Sequence, residues 1–208
     1  HYCGLDLEEG VAFGLGAGLD SVFFSYDAAD PPFMLFGRGS TMESDMARTL
    51  GLDYEEKIQP DNDLAWAEVK QEILEGRPTM LSGDIFYLDY REYKVHFPAH
   101  RFILLGFDEE KKAAYIADRI NTHPETCSMG ALRKSRNPKG VITTYNQWGK
   151  FSSGEVRHSL PEACGIALRL TVERMLGEDQ SQRDLMAAAA GEGSICEAGL
   201  KGLRTFRE

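Results

Sequence analysis

The order of apolar and polar positions predicts several short strands in the first half of the chain. Residues 21–26 are rich in aromatic and β-branched side chains, which is typical of a buried strand. Residues 33–36 and 79–82 are predicted to form two further short strands, each bounded by proline and glycine. Aromatic and charged residues alternate over residues 85–97, a pattern more typical of a loop that lines a substrate site than of a core element.

Three helices are predicted with clear start or stop signals. Residues 42–50 form a short helix, and residues 63–75 form the clearest one, because apolar residues recur there at three- and four-residue steps. A third helix begins after Ser159, with Pro161 in its first turn. Each helix is followed by a glycine, the residue that most often ends a helix: Gly51, Gly76 and Gly177.

A hairpin is predicted in the middle of the chain. Two apolar runs, residues 101–107 and 113–117, flank the polar tetrad of residues 108–111. Two such runs joined by a short polar turn are expected to pair as antiparallel strands. The hairpin therefore brings the start of its first strand close to the end of its second strand.

The second half of the chain is predicted to be mainly helical. Residues 129–135 suggest a short helix, residues 137–154 are expected to be mostly loop, and the last thirty residues are expected to be helical. Strands concentrate before residue 120, which indicates an α+β core with an antiparallel sheet and a helical C-terminal extension. We place the two domains at residues 1–150 and 151–208.

Composition and charge disfavour some classes of function. The chain has 23 basic and 33 acidic residues, a net charge of −10, which disfavours nonspecific nucleic-acid binding because such binding needs Lys and Arg to neutralise phosphates. No apolar run approaches the roughly 18 residues of a membrane span. The four cysteines match no zinc motif, so we expect reduced thiols and a cytoplasmic protein without a membrane partner.

Three closely spaced glycines, Gly14, Gly16 and Gly18, raise the question of a nucleotide site. A dinucleotide-binding loop needs a further glycine at the helix–strand contact, and Leu19 stands there. No Gly-Lys-Ser/Thr follows, which excludes a P-loop. The glycines are therefore expected to permit a tight turn or a close approach of another chain segment.

A metal site was considered at His96 and His100, with Asp84 or Asp89 as further ligands. The H-x-x-x-H spacing would place both imidazoles on one face of a helix, but Pro98 lies between them and argues against a helix. We therefore expect no metal and no cofactor.

The pair His100 and Asp118 carries the strongest chemical signal. His100 precedes the first hairpin strand and Asp118 follows the second, so the two side chains are expected within hydrogen-bond reach. A carboxylate on one ring nitrogen fixes the tautomer and leaves the other nitrogen to accept a proton from a nucleophile. On spacing alone, the alternative is a strand-end histidine beside an aspartate that caps a loop.

The segment HRFILLGFDEEKKAAYIAD resembles the histidine–aspartate hairpin of papain-like folds of the bacteriocin-leader peptidase type. A more specific resemblance is to the butirosin biosynthesis acyltransferase family, the BtrH-like proteins. It is carried by GLDLEEGVAFGLGAGL, AWAEVKQEILEGRPTMLSGDIFYLDY and HFPAHRFILLGFD, and it covers residues 4 to about 136. The helical tail resembles the family's C-terminal domain in shortened form.

The resemblance implies a papain-like fold and acyl transfer from a thioester to an amine through an acyl-cysteine. It makes His100 the general base and acid, with Asp118 orienting it. The acyl donor would be an acyl carrier protein or acyl-coenzyme A, and the acceptor a small-molecule amine; a homo-oligomer is left open. The substrate walls are expected at Gly14, Gly16 and Gly18 and in the tyrosine loop, at Tyr87, Tyr90 and Tyr93.

The nucleophile departs from the family pattern. Cys3 is the first candidate, but it aligns with the end of the nucleophile helix instead of its start. The domain is therefore expected to lack its nucleophile helix, which either lies upstream of His1 or is absent. Two alternatives remain: a cysteine peptidase or amidase on the same scaffold, and a non-catalytic module that binds a small molecule or peptide.

Overall fold

The computed structural model describes residues 5–25, 32–92, 95–98, 100–118, 123–139, 144–152, 155–178 and 195–208. Its helices in these ranges are α1 (Glu9–Leu15), α2 (Met42–Leu50), α3 (Asn62–Leu74), α4 (Met129–Arg136), α5 (Leu160–Leu176) and α6 (Gly199–Arg207). Its strands are β1 (Leu19–Ser25), β2 (Phe33–Arg38), β3 (Tyr54–Lys57), β4 (Thr79–Gly83), β5 (His100–Asp108), β6 (Ala113–Ala117), β7 (Glu125–Ser128), β8 (Trp148–Phe151) and β9 (Ile195–Ala198). The predicted α+β class with antiparallel sheets is confirmed.

The chain divides into two compact units, His1–Tyr54 with Phe151–Glu208, and Glu55–Lys150. The second unit ends where the predicted boundary at residue 150 lies, whereas the first 54 residues group with the C-terminal part of the chain. A functional domain of residues 1–150 stays a prediction. No helix among the described residues is long and apolar enough to cross a membrane.

The first unit is built on a three-stranded antiparallel sheet of order β2-β1-β9. Helix α6 packs on β1, whose central residues are buried, and α2 packs against α5. Helices α1, α2 and α5, together with Leu52 after α2, contribute one cluster of small and aliphatic side chains: Leu15, Ala47, Leu50, Leu52 and Ala163. Burial of these side chains away from water stabilises the unit.

The second unit is built on a six-stranded sheet of order β3-β8-β4-β5-β6-β7. Strands β4, β5, β6 and β7 pair antiparallel in sequence order, and β7 forms one edge of the sheet. The core lies between this sheet and the helices α3 and α4, and its buried side chains are Val69, Leu81, Leu88, Phe102, Leu104, Ala114, Ile116, Cys127, Leu132 and Trp148.

The helix boundaries follow the caps that the sequence predicts. Helix α2 spans the predicted residues, and Gly51 follows it in the left-handed conformation, with φ of 69°. The side chain of Asp61 accepts hydrogen bonds from the first amides of α3, which offsets their lack of helical partners. Gly76 and Gly177 also have positive φ after their helices, so all three predicted glycine stops are confirmed.

The prediction of a tight turn or a close approach of another segment is met in different ways along the glycine-rich segment. At Gly16 another segment comes close, since a Cβ there would lie 2.5 Å from Met42 Cγ. At Gly18 the chain turns back on itself, since its amide donates to Phe13 O and a Cβ would lie 2.7 Å from the Phe13 ring. Gly14 lies within α1 and has open space around it.

Five short elements differ from the sequence prediction. Strand β8 lies within residues 137–154, which are predicted to be mostly loop, and β9 lies in the C-terminal stretch that is predicted to be helical. Strands β3 and β7 and helix α1 have no counterpart in the prediction. All five elements are short, and β3, with the sequence YEEK, has only one apolar side chain. The pattern of apolar and polar residues in such short elements offers too little periodicity to assign them.

Gly51 and Gly76 provide a matched test of backbone strain. Both are left-handed, but a Cβ on Gly51 would lie 2.8 Å from Arg157 Cβ, while nothing lies within 4 Å at Gly76. We expect Gly76→Ala to lower the free energy of unfolding by about 1 kcal/mol, because a residue with a Cβ is strained in the left-handed conformation. We expect Gly51→Ala to cost at least about 1 kcal/mol more, because Arg157 must move. Urea denaturation followed by circular dichroism measures both values, and equal losses would contradict the close contact.

Candidate functional site

His100 and Asp118 lie side by side at the open end of the β5–β6 hairpin. His100 is the first residue of β5, and Asp118 directly follows β6. His100 Nε2 lies 2.6 Å from Asp118 Oδ1. The hairpin therefore brings together the two side chains that the sequence analysis paired, while their catalytic role stays a prediction.

The register of the hairpin explains this placement. Ile103 pairs with Ala117 near the open end, and the register shifts by one residue between Leu104 and Gly106. On its other edge, β5 pairs with β4, so that His100 lies opposite Gly83. The backbone around His100 is thus fixed by a neighbouring strand on one side, with the end of β6 on the other.

Two further side chains, Tyr90 and Arg91, converge on Asp118. Tyr90 Oη donates to Asp118 Oδ2 at 2.6 Å. Arg91 donates to the same oxygen from Nη2 at 2.5 Å and from Nε at 3.0 Å. The Asp118 side chain is only 1% exposed, so these donors replace the water that its charge would otherwise need.

These partners determine the charge state of Asp118. Burial raises the pKa of the Asp118 carboxyl, but hydrogen bonds from His100 and Tyr90 and the nearby charge outweigh burial and hold the pKa below its usual value. Burial and the negative charge of Asp118 raise the pKa of the Tyr90 hydroxyl. Asp118 is therefore ionised and Tyr90 neutral at physiological pH.

The ionised carboxylate sets the tautomer of His100. Because Asp118 Oδ1 can only accept, Nε2 of the neutral ring carries the proton and donates it. Arg91 Nη2 also lies 3.1 Å from Nε2, a contact between two donors in this tautomer. Nδ1 has no hydrogen-bond partner among the described residues, and the His100 side chain is 19% exposed. The ring can therefore accept a proton at Nδ1.

Sequence reasoning missed Arg91. It lies 27 residues before Asp118 in a segment with no regular period, and only the fold brings it to the end of β6. The one available signal was an arginine beside Tyr90 in the predicted substrate loop. The Tyr90 hydroxyl is engaged by Asp118, and its predicted role in substrate binding stays a prediction.

The described cysteines differ in their surroundings. Cys127 is buried in β7, and burial together with the charge of Asp89 raises the pKa of its thiol to about 12. Cys127 is therefore unreactive at neutral pH. Cys164 is exposed on α5 and Cys196 is partly buried in β9, both in the first unit. Cys3 lies outside the described residues.

The remaining predicted site residues lie apart along the chain. Gly14, Gly16 and Gly18 belong to the first unit, whereas Tyr87 belongs to the second, in a 3₁₀ turn at Ile85–Tyr87. Tyr93 lies outside the described residues. Each of these residues is still predicted to contact substrate.

The residues considered for a metal site form separate pairs. His96 Nδ1 lies 2.8 Å from Asp84 Oδ2, and the ring stacks on Phe86. Asp89 accepts from the backbone amide of Ser128 instead. In the part of the chain that the structure describes, no group of three or more His, Cys, Asp or Glu residues could hold a metal ion.

Asp118→Asn tests the charge balance of this site. Its depressed pKa means that ionised Asp118 stabilises the folded state above the carboxyl's unfolded pKa of about 3.9, and that this contribution is lost as the pH falls further. At pH 7 we expect the variant to lose about 3 kcal/mol of unfolding free energy, since Arg91 keeps a buried charge without its counter-ion. Urea denaturation measures the free energy of unfolding of the wild type and the variant at both pH 7 and pH 3. We expect the difference between the two proteins to be smaller near pH 3 than at pH 7.

The control is Asp53→Asn, which removes a carboxylate paired with Arg157 on the surface. Both partners are well exposed, so we expect a change within about 0.5 kcal/mol at either pH. A loss at Asp118 as small as that at Asp53 would contradict the buried ion pair.

Comparison with known proteins agrees with the resemblance in the sequence. A family model described as butirosin biosynthesis protein H, N-terminal, matches residues 1–119, a range that contains His100, Asp118, Tyr90 and Arg91. No curated protein matches the chain. Because the family match covers more than half of the 208 residues, this chain belongs to the family of the N-terminal region of butirosin biosynthesis protein H.

Proposed function

We propose that this protein transfers an acyl group from a thioester to an amine through an acyl-cysteine, with His100 as general base and acid. The observation that carries the proposal is the fixed orientation of the His100 ring. Asp118 holds Nε2 at 2.6 Å, and Nδ1 has no partner among the described residues. This is the arrangement that a histidine needs in order to take a proton from a thiol and return it.

Family membership supports this proposal at a broad level. The match to butirosin biosynthesis protein H favours an acyltransferase-like function in secondary metabolism. The papain-like character of the fold, the cysteine nucleophile and the identity of the substrates are part of the proposal. The α+β architecture with an antiparallel sheet is compatible with them.

The proton path follows from the geometry of His100. Nδ1 takes the proton of the cysteine thiol, and the thiolate attacks the thioester carbonyl. The donor thiol leaves with a proton returned by the imidazolium, and the acyl group remains on the cysteine. The amine then attacks this acyl-cysteine, His100 takes the proton lost by the amine, and the enzyme thiol is restored.

Asp118 acts on His100 throughout this cycle as a positioning residue. Its hydrogen bond keeps the proton on Nε2 while the ring is neutral and stabilises the imidazolium once Nδ1 is protonated. Tyr90 and Arg91 hold the carboxylate itself in place. A rigid, buried carboxylate reduces the reorganisation that each proton transfer requires.

The nucleophile is proposed to be a cysteine other than Cys127, whose thiol is buried and protonated. Cys3 remains a candidate. An acyl carrier protein or acyl-coenzyme A is the proposed acyl donor, and a small-molecule amine the acceptor. With a peptide or amide as the acyl donor and water as the acceptor, the same cycle would give the cysteine peptidase or amidase that is the alternative function.

Alkylation by iodoacetamide at pH 7, followed by peptide mass mapping of every cysteine, tests the thiol–histidine pair. We expect one cysteine to react faster than the others, and His100→Ala to slow its alkylation about 100-fold, because general-base activation is lost. His100→Gln keeps a donor to Asp118 and serves if the alanine variant folds poorly. Equal alkylation of Cys3, Cys127, Cys164 and Cys196 without dependence on His100 would exclude a catalytic thiol.

His96→Ala is the matched control. His96 also pairs with an aspartate, but its side chain is 62% exposed and stacked on Phe86. We expect this variant to alkylate at the wild-type rate. Incubation with a short acyl thioester of N-acetylcysteamine should then add the acyl mass to the same reactive cysteine, and release of free acid without any amine product would favour the hydrolase.

A further inference from the structure

The three buried arginines of the described residues differ in their partners. Arg91 pairs with Asp118, and Arg174 Nη2 lies 2.8 Å from Asp45 Oδ2. Arg136 is equally buried, at 2% exposure, yet it forms no ion pair within the described part of the chain. A guanidinium buried without a counter-ion is unfavourable, so its presence suggests a ligand that supplies the missing charge.

The guanidinium of Arg136 has unused hydrogen-bonding capacity. Nη2 donates to the backbone oxygen of Asn146 at 3.2 Å, and Nε has no partner. No second acceptor for the five N–H groups of this side chain lies among the described residues. Burial lowers the pKa of Arg136 to about 10, so the group remains charged at neutral pH.

The charge of one acidic side chain, Glu68, acts on Arg136 without forming an ion pair with it. Glu68 raises the pKa of Arg136 through its charge, but its Oε2 accepts a hydrogen bond from Trp148 Nε1 at 3.1 Å. The backbone of Arg136 is also fixed, because its carbonyl oxygen accepts from Asn146 N and from Thr144 Oγ1, each at 2.9 Å. The arginine is thus held in its position at the end of α4.

Arg136 lines a cavity of about 330 Å³ in the second unit. Trp66, Met129 and Leu132 give this cavity an apolar wall, and Asn62 and Arg133 add polar groups. None of the described residues that line it is Asp or Glu. Its volume lies at the lower end of the range for small-molecule sites, and its mixed lining fits a ligand with an apolar body and a compact anionic group.

Asn62 supplies a second donor with a fixed orientation. Its Oδ1 accepts from Asn137 Nδ2 at 2.8 Å and from Asn146 Nδ2 at 2.9 Å. These two bonds determine which side-chain atom is the oxygen, and they leave the amide N–H groups of Asn62 without an acceptor among the described residues. An amide donor and an arginine on the same cavity wall suit the two oxygens of a carboxylate.

We propose that this cavity binds a small carboxylic acid with an aromatic or aliphatic body, whose carboxylate pairs with Arg136 and accepts from Asn62. A single monovalent anion matches Arg136, which is the lining arginine without an ion pair among the described residues, since Arg133 already pairs with Asp63. The cavity shares no lining residue with the His100–Asp118 site. The proposal therefore stands or falls independently of the acyl transfer proposed above.

The two tryptophans of the chain allow a direct test. ¹H–¹⁵N NMR follows the two indole N–H signals during titration with 3-phenylpropionate. Trp66 lies in the cavity wall and Trp148 in the core. The variant Trp66→Phe assigns the two signals. We expect saturable shifts at Trp66 that exceed those at Trp148, with a dissociation constant of about 1 mM or below for so small a probe. The uncharged amide, 3-phenylpropionamide, is expected to bind at least about 10-fold more weakly.

Arg136→Met and Arg133→Met form a matched pair, because both remove one positive charge from the cavity wall. Arg136→Met is expected to weaken binding of 3-phenylpropionate by about 10-fold or more, whereas the half-exposed, paired Arg133 should change it less than about 3-fold. Arg136→Lys keeps the charge without the planar fork and serves if the methionine variant folds poorly. It is expected to bind with intermediate affinity.

Three results of these titrations would overturn the proposal, and a fourth comes from inorganic phosphate. The first is absence of any Trp66 shift with the acid, and the second is equal binding of acid and amide. The third is equal loss of affinity in the two methionine variants, which would assign the effect to the overall charge instead of Arg136. Inorganic phosphate is expected to leave Trp66 unshifted because it lacks an apolar body, and a shift as large as that of 3-phenylpropionate would exclude the carboxylic-acid class.

Discussion

Asp118 is a buried carboxylate, and its charge is tolerated only because three side chains donate hydrogen bonds to it. These donors come from two places, the start of β5 at His100 and the segment after the 3₁₀ turn at Tyr90 and Arg91. The hydrogen bonds to this one carboxylate therefore hold the segment after the turn against the open end of the hairpin. The same interactions fix the plane and tautomer of the His100 ring, so a structural requirement also orients the proposed general base.

The parts of the fold that could be predicted from sequence are those with local causes. Helices α2, α3 and α5 carry their own caps and glycine stops, and the β5–β6 hairpin carries its charged turn between two apolar runs. Because the hairpin determines which residues lie at its open end, the approach of His100 and Asp118 could be predicted with it. No tertiary information is needed for either step.

The parts that could not be predicted depend on contacts between distant segments. Strands β8 and β9 have four residues each, and their place in a sheet follows from neighbours far away in sequence. Arg91 was missed for the same reason, since its partner lies 27 residues away in sequence, beyond strands β5 and β6. That Arg136 has no carboxylate partner among the described residues is also invisible in sequence, because only the folded chain determines which carboxylates lie near it.

The two histidine–aspartate pairs of the second unit show why a sequence pattern could not assign their roles. Asp84 accepts from the backbone amides of Phe86 and Phe97 as well as from His96, so its carboxylate organises a turn that would need it even without the histidine. The hydrogen bonds to Asp118 from the described residues, in contrast, all come from side chains, and the residue that it orients is mostly buried. A ring held at one nitrogen, with no hydrogen-bond partner among the described residues at the other, can direct a proton to a bound group. This difference in surroundings is the physical reason for assigning the chemistry to His100.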